Sequence, residues 1–244
     1  MLEKLKSPPL IEALCEFRFS ATEDWDWTVP GRLYDELKDE FPERGQVQAI
    51  EVKFDAKQLS HRSKIDRVQM KRKDGSAMVQ VGPHLLVINH LLPYSDWNNF
   101  LKLIINVLEK YTELATHAAF KWIGLRYINQ IPIKNEELYE IGRYIVLVPP
   151  IPKAIERPLA SFYQRYELKH DNPEGVLIHQ TGVAKSPSGQ LNIMLDLDFV
   201  ASKVSNLDKK AIGDWLIKAH KQIEIAFTES IESELLKKMK EGIE

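Results

Sequence analysis

Asp196 and Asp198 stand two apart in LNIMLDLDFV, so on an extended strand their carboxylates point to one side, away from Leu195, Leu197 and Phe199. Two carboxylates on one face can bind a divalent cation for phosphodiester hydrolysis, and His179 on a neighbouring strand could assist. A metal site normally needs a third ligand, and the sequence identifies none. The simpler reading is a solvated sheet face, or acids that pair with Arg126 or Arg165.

Arg126 and Asn129 complete this candidate polar cluster. They lie with Gln130 in FKWIGLRYINQIPI, Phe120 to Ile133, the longest strand-like run in the chain. Ile123, Leu125, Tyr127, Asn129 and Ile131 share one face, and Trp122, Gly124, Arg126, Ile128 and Gln130 share the other. Both faces are largely apolar, which places the strand inside a sheet, where a polar side chain is costly unless hydrogen-bonded. A carboxylate partner accounts for Arg126, and a ligand is the alternative.

The densest cationic stretch holds Arg62, Lys64, Arg67, Lys71, Arg72 and Lys73, with Asp66 as the only acid between Arg62 and Lys73. On a hairpin it could grip a nucleic-acid backbone. It lacks interleaved aromatics for base stacking, and the formal charge is −2, so a hairpin edge guarded by lysines is the plainer account. His84 and His90 flank an apolar strand and read as structural. Trp25 and Trp27, in an acidic loop, fit either a recognition surface or a cap on a core edge.

The commonest short signatures of catalysis are missing: no phosphate-binding glycine loop, dinucleotide fingerprint, His-Glu-x-x-His helix, cysteine pair or Gly-x-Ser-x-Gly elbow occurs. An enzyme assembled from distant residues stays open. No cofactor or metal is implied. Hydrophobic residues make up 44% and charged residues 28% of the 244, the balance of an ordinary globular protein. Cys15, the single cysteine, excludes an internal disulfide and reads as buried packing in a reducing cytosol. No apolar run reaches the roughly 18 residues that span a bilayer, and the first residues do not form a secretory signal. The expected location is cytoplasmic, away from membranes.

The elements that must position these residues read as follows. Ser7-Pro8-Pro9 leads into a strand over Leu10 to Phe19. Thr28 can cap a helix carrying Leu33, Leu37 and Phe41, stopped by Pro42. Strands follow at Ile50 to Phe54, Val68 to Lys73, Ala77 to Val81 and Leu85 to Leu91, with Lys57 to Lys64 as a polar stretch, Asp74-Gly75 as a tight hairpin turn and Gly82-Pro83 as the next. A long helix starts at Asp96 with Ser95 as cap, its stripe being Trp97, Phe100, Leu101, Ile104, Ile105, Leu108 and Tyr111. After the central strand come a short helical candidate at Glu136 to Tyr139, strands at Ser161 to His170, Val176 to Lys185 and Gln190 to Val200, and a final helix from about Asp208 to Lys240, with a break near Thr228.

The order strand, helix, several strands, long helix thus occurs twice, with Phe17-Arg18-Phe19 echoed by Leu125-Arg126-Tyr127 and Asp96-Trp97 by Asp214-Trp215. This predicts an α+β protein of two similar units, 1–116 and 117–244, packed as one body, each with an antiparallel sheet covered by its own long helix. That order resembles the TATA-binding-protein-like and helix-grip folds.

Three segments together, SPPLIEALCEFRF (Ser7 to Phe19), YSDWNNFLKLI (Tyr94 to Ile104) and WIGLRYINQIPI (Trp122 to Ile133), resemble a sporadically distributed, functionally uncharacterised prokaryotic family marked by PP-[IL]-x-EA-x-x-E-[IF]-RF, Y-x-x-W-x-x-F and LRYIN. The resemblance carries no activity or site residues; a scattered distribution would suit a mobile or defence-linked accessory role. The functional expectation is a non-enzymatic protein that binds a protein partner or small ligand. Nucleic-acid binding, with metal-dependent nuclease activity at Asp196 and Asp198, is the alternative. Nothing in the sequence sets the oligomeric state.

Overall fold

Among the described residues, alternation of apolar and polar residues gives nine strands, and apolar stripes at helical spacing give four helices. β1 (Leu10–Phe19), α1 (Val29–Leu37), β2 (Glu43–Asp55), β3 (Gln58–Lys71), β4 (Ala77–Gly82), β5 (Leu85–Leu91) and α2 (Trp97–Leu114) come first. They are followed by β6 (Phe120–Ile133), β7 (Tyr163–Asp171), β8 (Glu174–Lys185), β9 (Leu191–Ala201), α3 (Lys209–Ser230) and α4 (Ser233–Glu241). The computed structural model describes residues 5–20, 25–55, 58–115, 119–133, 140–148, 151–152, 154, 157, 159–186, 188–202, 204 and 208–242, with backbone alone for 49–55 and 58–64. The strand order is β2-β3-β4-β5-β1-β6-β9-β8-β7 in one sheet, and the α+β class of the sequence reading stands.

Two compact units divide the chain. Unit 1 is Met1–Ala13, Gly124–Ser202 and Asp208–Glu244; unit 2 is Leu14–Ile123 and Lys203–Leu207, so β1 and β6 contribute to both. The expected boundary at 116/117 and the helical candidate at 136–139 lie outside the described residues.

Unit 2 is an antiparallel meander. β2 pairs with β3, β3 with β4 and β4 with β5. The polar residues 58–64, expected as a connection, extend β3, because β2 is a long partner that supplies backbone hydrogen bonds whatever the side chains. The β3–β4 turn is looser than a two-residue one: strand pairing resumes at Ala77, and Gly75 alone takes positive φ, at 72°. The next turn puts His84 at φ 60°, the position where a turn begun by Pro83 needs a left-handed residue.

α2 covers this meander. Its cap is Asp96, whose carboxylate accepts the Asn99 N–H at 2.8 Å, and not the expected Ser95. Ser95 is engaged elsewhere, 3.1 Å from His90 Nε2. The buried stripe is Trp97, Phe100, Leu103, Ile104, Val107, Leu108 and Tyr111, so Leu103 and Val107 take the places expected for Leu101 and Ile105. A stripe read at every third and fourth residue has two possible flanks, and the sheet chooses one. Phe17 and Phe19 of β1 pack into the same core, Phe19 with its ring 4.9 Å from that of Tyr111. Burial pushes the Tyr111 hydroxyl up to about 12. In α1, Thr28 uses no side chain as a cap, and Phe41 is fully buried although the helix ends at Leu37.

In unit 1 the covered side of the sheet holds Ile123's successors on β6, namely Leu125, Tyr127, Asn129, Ile131 and Ile133, together with Leu177, Leu195, Leu197 and Phe199, all buried. α3 packs on β8 and β9 through Trp215, Leu216, Ala219, Ile223 and Phe227. Its cap is Asp208, accepting from Ala211 N–H at 2.7 Å. The expected break falls at Ile231, three residues past Thr228. Thr228 and Ser230 stay helical by donating to the carbonyls of Glu224 and Ala226. Ile231 instead pairs with Ile145: Val146 N–H reaches Ser230 O at 2.9 Å, and Glu232 N–H reaches Tyr144 O at 3.0 Å. Glu232 then caps α4.

Among the described residues three histidines are buried: His90 in unit 2, and His179 and His220 in unit 1. Burial lowers all three below the ordinary imidazole value of 6.5. The unfolded chain therefore binds protons first as pH falls, and stability drops from about pH 6.5 downward toward the folded-state values. We expect the melting temperature to be flat just above pH 7 and to fall steeply on acidification. His220→Gln should flatten that fall in a pH series of thermal melts. Asp96→Ala should lower stability by about 1 kcal/mol in urea titration, as loss of a helix cap does.

Candidate functional site

The helices leave the other side of unit 1's sheet half-exposed, because period two sends every second residue away from α3. β8 and β9 pair Ile178 with Asp198, Gln180 with Asp196 and Gly182 with Met194 on that side, while His179, Thr181, Leu195 and Leu197 are buried on the other. β7 adds Tyr163 opposite Gly182 and Arg165 opposite Gln180.

A row of polar side chains crosses these strands. Arg126 on β6 donates from Nε to Asp196 Oδ1 at 2.7 Å and from Nη2 to Oδ2 at 2.5 Å, a two-pronged pair that fixes both planes. Gln180 donates its amide to Asp196 Oδ2 at 3.2 Å. Gln180 Oε1 in turn accepts from Tyr163 Oη at 2.6 Å and Arg165 Nη1 at 3.1 Å. Arg126 keeps 37% of its side chain exposed and Asp196 15%. The Asp196 hydrogen bonds, aided by the charges of Asp198 and Glu12, raise the Arg126 pKa further.

The row borders a cleft of about 470 Å³ lined by Phe162, Tyr163, Gln180, Gly182, Met194 and Asp196. Gly182 lets the chain at Phe162 pass close beside it: a Cβ there would stand 2.9 Å from Phe162 O. The chemistry offered is a phenol, an amide and an ion pair beside the thioether of Met194. Each polar group already has a neighbour.

Of the predicted cluster, Arg126, Asp196 and Asp198 lie on this half-exposed side. Asn129 does not join them. It is fully buried under α3's side of the sheet, where Nδ2 donates to Leu195 O at 3.2 Å. His179 likewise faces away from the two acids. Its Nε2 lies 2.8 Å from Ser230 Oγ, and because Ser230 gives its own proton to Ala226 O, His179 donates and its buried Nδ1 remains unprotonated. It cannot assist at Asp196. Among the described residues, no cluster of three or more His, Cys, Asp or Glu side chains is placed to hold a metal. Gln180 and Tyr163 were missed as site residues, and Arg165, expected as a possible partner of the two acids, bonds to Gln180 and Glu167 instead. Their signal was available only as the register of β7 against β8, which sequence alone does not fix.

The basic stretch is dispersed. The side chains of Arg62 and Lys64 lie outside the described residues. Arg67 pairs with Asp66 at 2.7 Å, and Arg72 pairs with Glu40 while its guanidinium stacks over Phe41. Lys71 and Lys73 are exposed. Elsewhere in unit 2, Trp25 and Trp27 meet edge to face at 5.3 Å, and Trp27 borders a cleft of about 870 Å³ that also holds Tyr34 and Arg44, the guanidinium 4.6 Å from the Tyr34 ring. Cys15 is fully buried, as expected.

Removing Arg126 leaves Asp196 largely buried with only Gln180 to serve it. Arg126→Ala should cost about 1–2 kcal/mol in denaturant unfolding, between the values for exposed and buried pairs, and Arg126→Met with Asp196→Leu should recover most of it.

Comparison of the chain with models of known protein families and with curated proteins returns no match.

Proposed function

We propose that the protein is a non-enzymatic, cytoplasmic binding protein whose half-exposed sheet face in unit 1 recognises a protein partner. The observation that carries this reading is the row Arg126–Asp196–Gln180–Tyr163 running into the cleft beside Met194. Rigid polar groups held by one another, interleaved with Ile128, Ile178 and Val200 at intermediate burial, are suited to reading shape and hydrogen-bonding pattern. A catalytic carboxylate needs a proton or a metal to act upon, and Asp196 spends both oxygens on Arg126 and Gln180.

The finer fold reading belongs to the same proposal. In each half of the chain the first strand neighbours the last, β1 beside β5 and β6 beside β9, and the remaining strands follow in reverse order. Each half closes with a long helix capped by aspartate, Asp96 and Asp208. These parallels support an internal duplication of the TATA-binding-protein-like kind, with α1 and β2 belonging to the first half. An uncovered sheet face is then the natural place for a ligand.

Affinity capture from native lysate, with and without nuclease treatment, tests the reading. The wild-type chain should retain a stoichiometric protein, and Tyr163→Ala or Met194→Glu should reduce its recovery about tenfold or more, as loss of a contact at the centre of an interface does. Capture unchanged in both variants refutes the site. Recovery of nucleic acid that vanishes at high salt and on reversing Lys71 and Lys73 would establish the nucleic-acid alternative in its place.

A further inference from the structure

β7 is the last strand of the sheet, and its outer edge pairs with no other strand among the described residues. Such an edge offers a row of backbone donors and acceptors to any extended chain. Proteins usually blunt it with a proline, a bulge or charged side chains. β7 has no proline and no bulge, and its charges alternate in sign, so they repel a second strand only in some registers. It is nine residues long, its ladder to β8 runs without interruption from Tyr163 to Asp171, and three of its large side chains are uncovered: Tyr163 by 65%, Tyr166 by 40% and Leu168 by 50%.

We infer that β7 is a self-association edge, pairing antiparallel with β7 of a second copy of the chain about a two-fold axis at Leu168. The argument is one of charge order. Arg165, Glu167, Lys169 and Asp171 occupy one face, with signs alternating plus, minus, plus, minus. A two-fold axis that continues a sheet keeps faces matched, so opposed residues share parity and some residue must face its own copy. Centring on Glu167 or Lys169 opposes like charges. Centring on Tyr166 pairs Arg165 with Glu167 but leaves Lys169 opposite Tyr163. Centring on Leu168 sets Glu167 against Lys169 and Arg165 against Asp171, each twice by symmetry, so all four charges meet opposites.

The opposite face agrees. There Leu168 meets Leu168, and Tyr166 meets His170, which covers two of the three exposed large side chains, Tyr166 and Leu168. Parallel pairing in register would set every charge against its like. In the single chain Arg165 reaches along its own strand to Glu167 at 2.5 Å, so the acid is already oriented on the face where the second copy's lysine would arrive. This inference stands apart from the partner-binding reading and survives its failure.

Light scattering across a wide concentration range, with the full chain, should show a reversible dimer. Lys169→Glu and Glu167→Lys should each weaken it about tenfold or more, since each creates two like-charged pairs. The double variant should restore it, which separates register from any effect on folding. Leu168→Cys should form an intermolecular disulfide under mild oxidation. Tyr166→Cys should not, because its symmetry mates lie four residues apart along the strands, about 13 Å. A monomer at every concentration, a dimer indifferent to both single reversals, or linkage through Tyr166→Cys as ready as through Leu168→Cys each overturns the proposal.

Discussion

The constraint on which unit 1 depends is the two-residue period of β6. Leu125, Tyr127, Asn129, Ile131 and Ile133 fall on the side buried beneath α3, and Arg126, Ile128 and Gln130 fall on the side no helix covers. A shift of one residue would bury a guanidinium and expose a tyrosine, so the register is locked by the cost of that exchange. Everything at the candidate site inherits this. Asp196 is reachable by Arg126 because β9 keeps the same parity, and Gln180 is reachable by Asp196 because β8 does.

The two sides handle polarity differently. The covered side holds polar groups singly, among them Asn129 tied to Leu195 O, His90 to Leu91 O and Ser95, and His179 to Ser230. The half-exposed side strings them together. A chain of mutually bonded side chains is stiff as well as satisfied, and stiffness lowers the entropy that a ligand would otherwise have to remove.

Element types were legible wherever a local period was strong. β6 and β5 match their expected bounds, and Asp208 caps α3 where the periodicity begins. What was not legible came from partners distant in sequence. Residues 58–64 look polar and unstructured alone but are strand beside β2. The helix break sits at Ile231 and not at Thr228 because Ile145 is there to pair with it. Arg126 and Asp196 could be suspected of pairing from chemistry, whereas the face of His179 could not be told from its neighbours, since Gln180 and Thr181 permit either side. Asn129 was grouped with Arg126 on polarity alone, and parity separates them.

The division of the chain carries a consequence for how it is made. Apart from Lys203–Leu207, unit 2 is one continuous segment, Leu14–Ile123, whereas unit 1 is drawn from both sides of it. The amides of Lys6 and Ser7 bond to Met239 O in the last helix, at 3.0 and 3.2 Å. A ribosome emits the chain from its N-terminus, so unit 2 can collapse while its predecessors in sequence still lack most of their own core. Residues 5–13 are made before the rest of unit 1, and the bonds from Lys6 and Ser7 to Met239 can form only once synthesis has reached that residue.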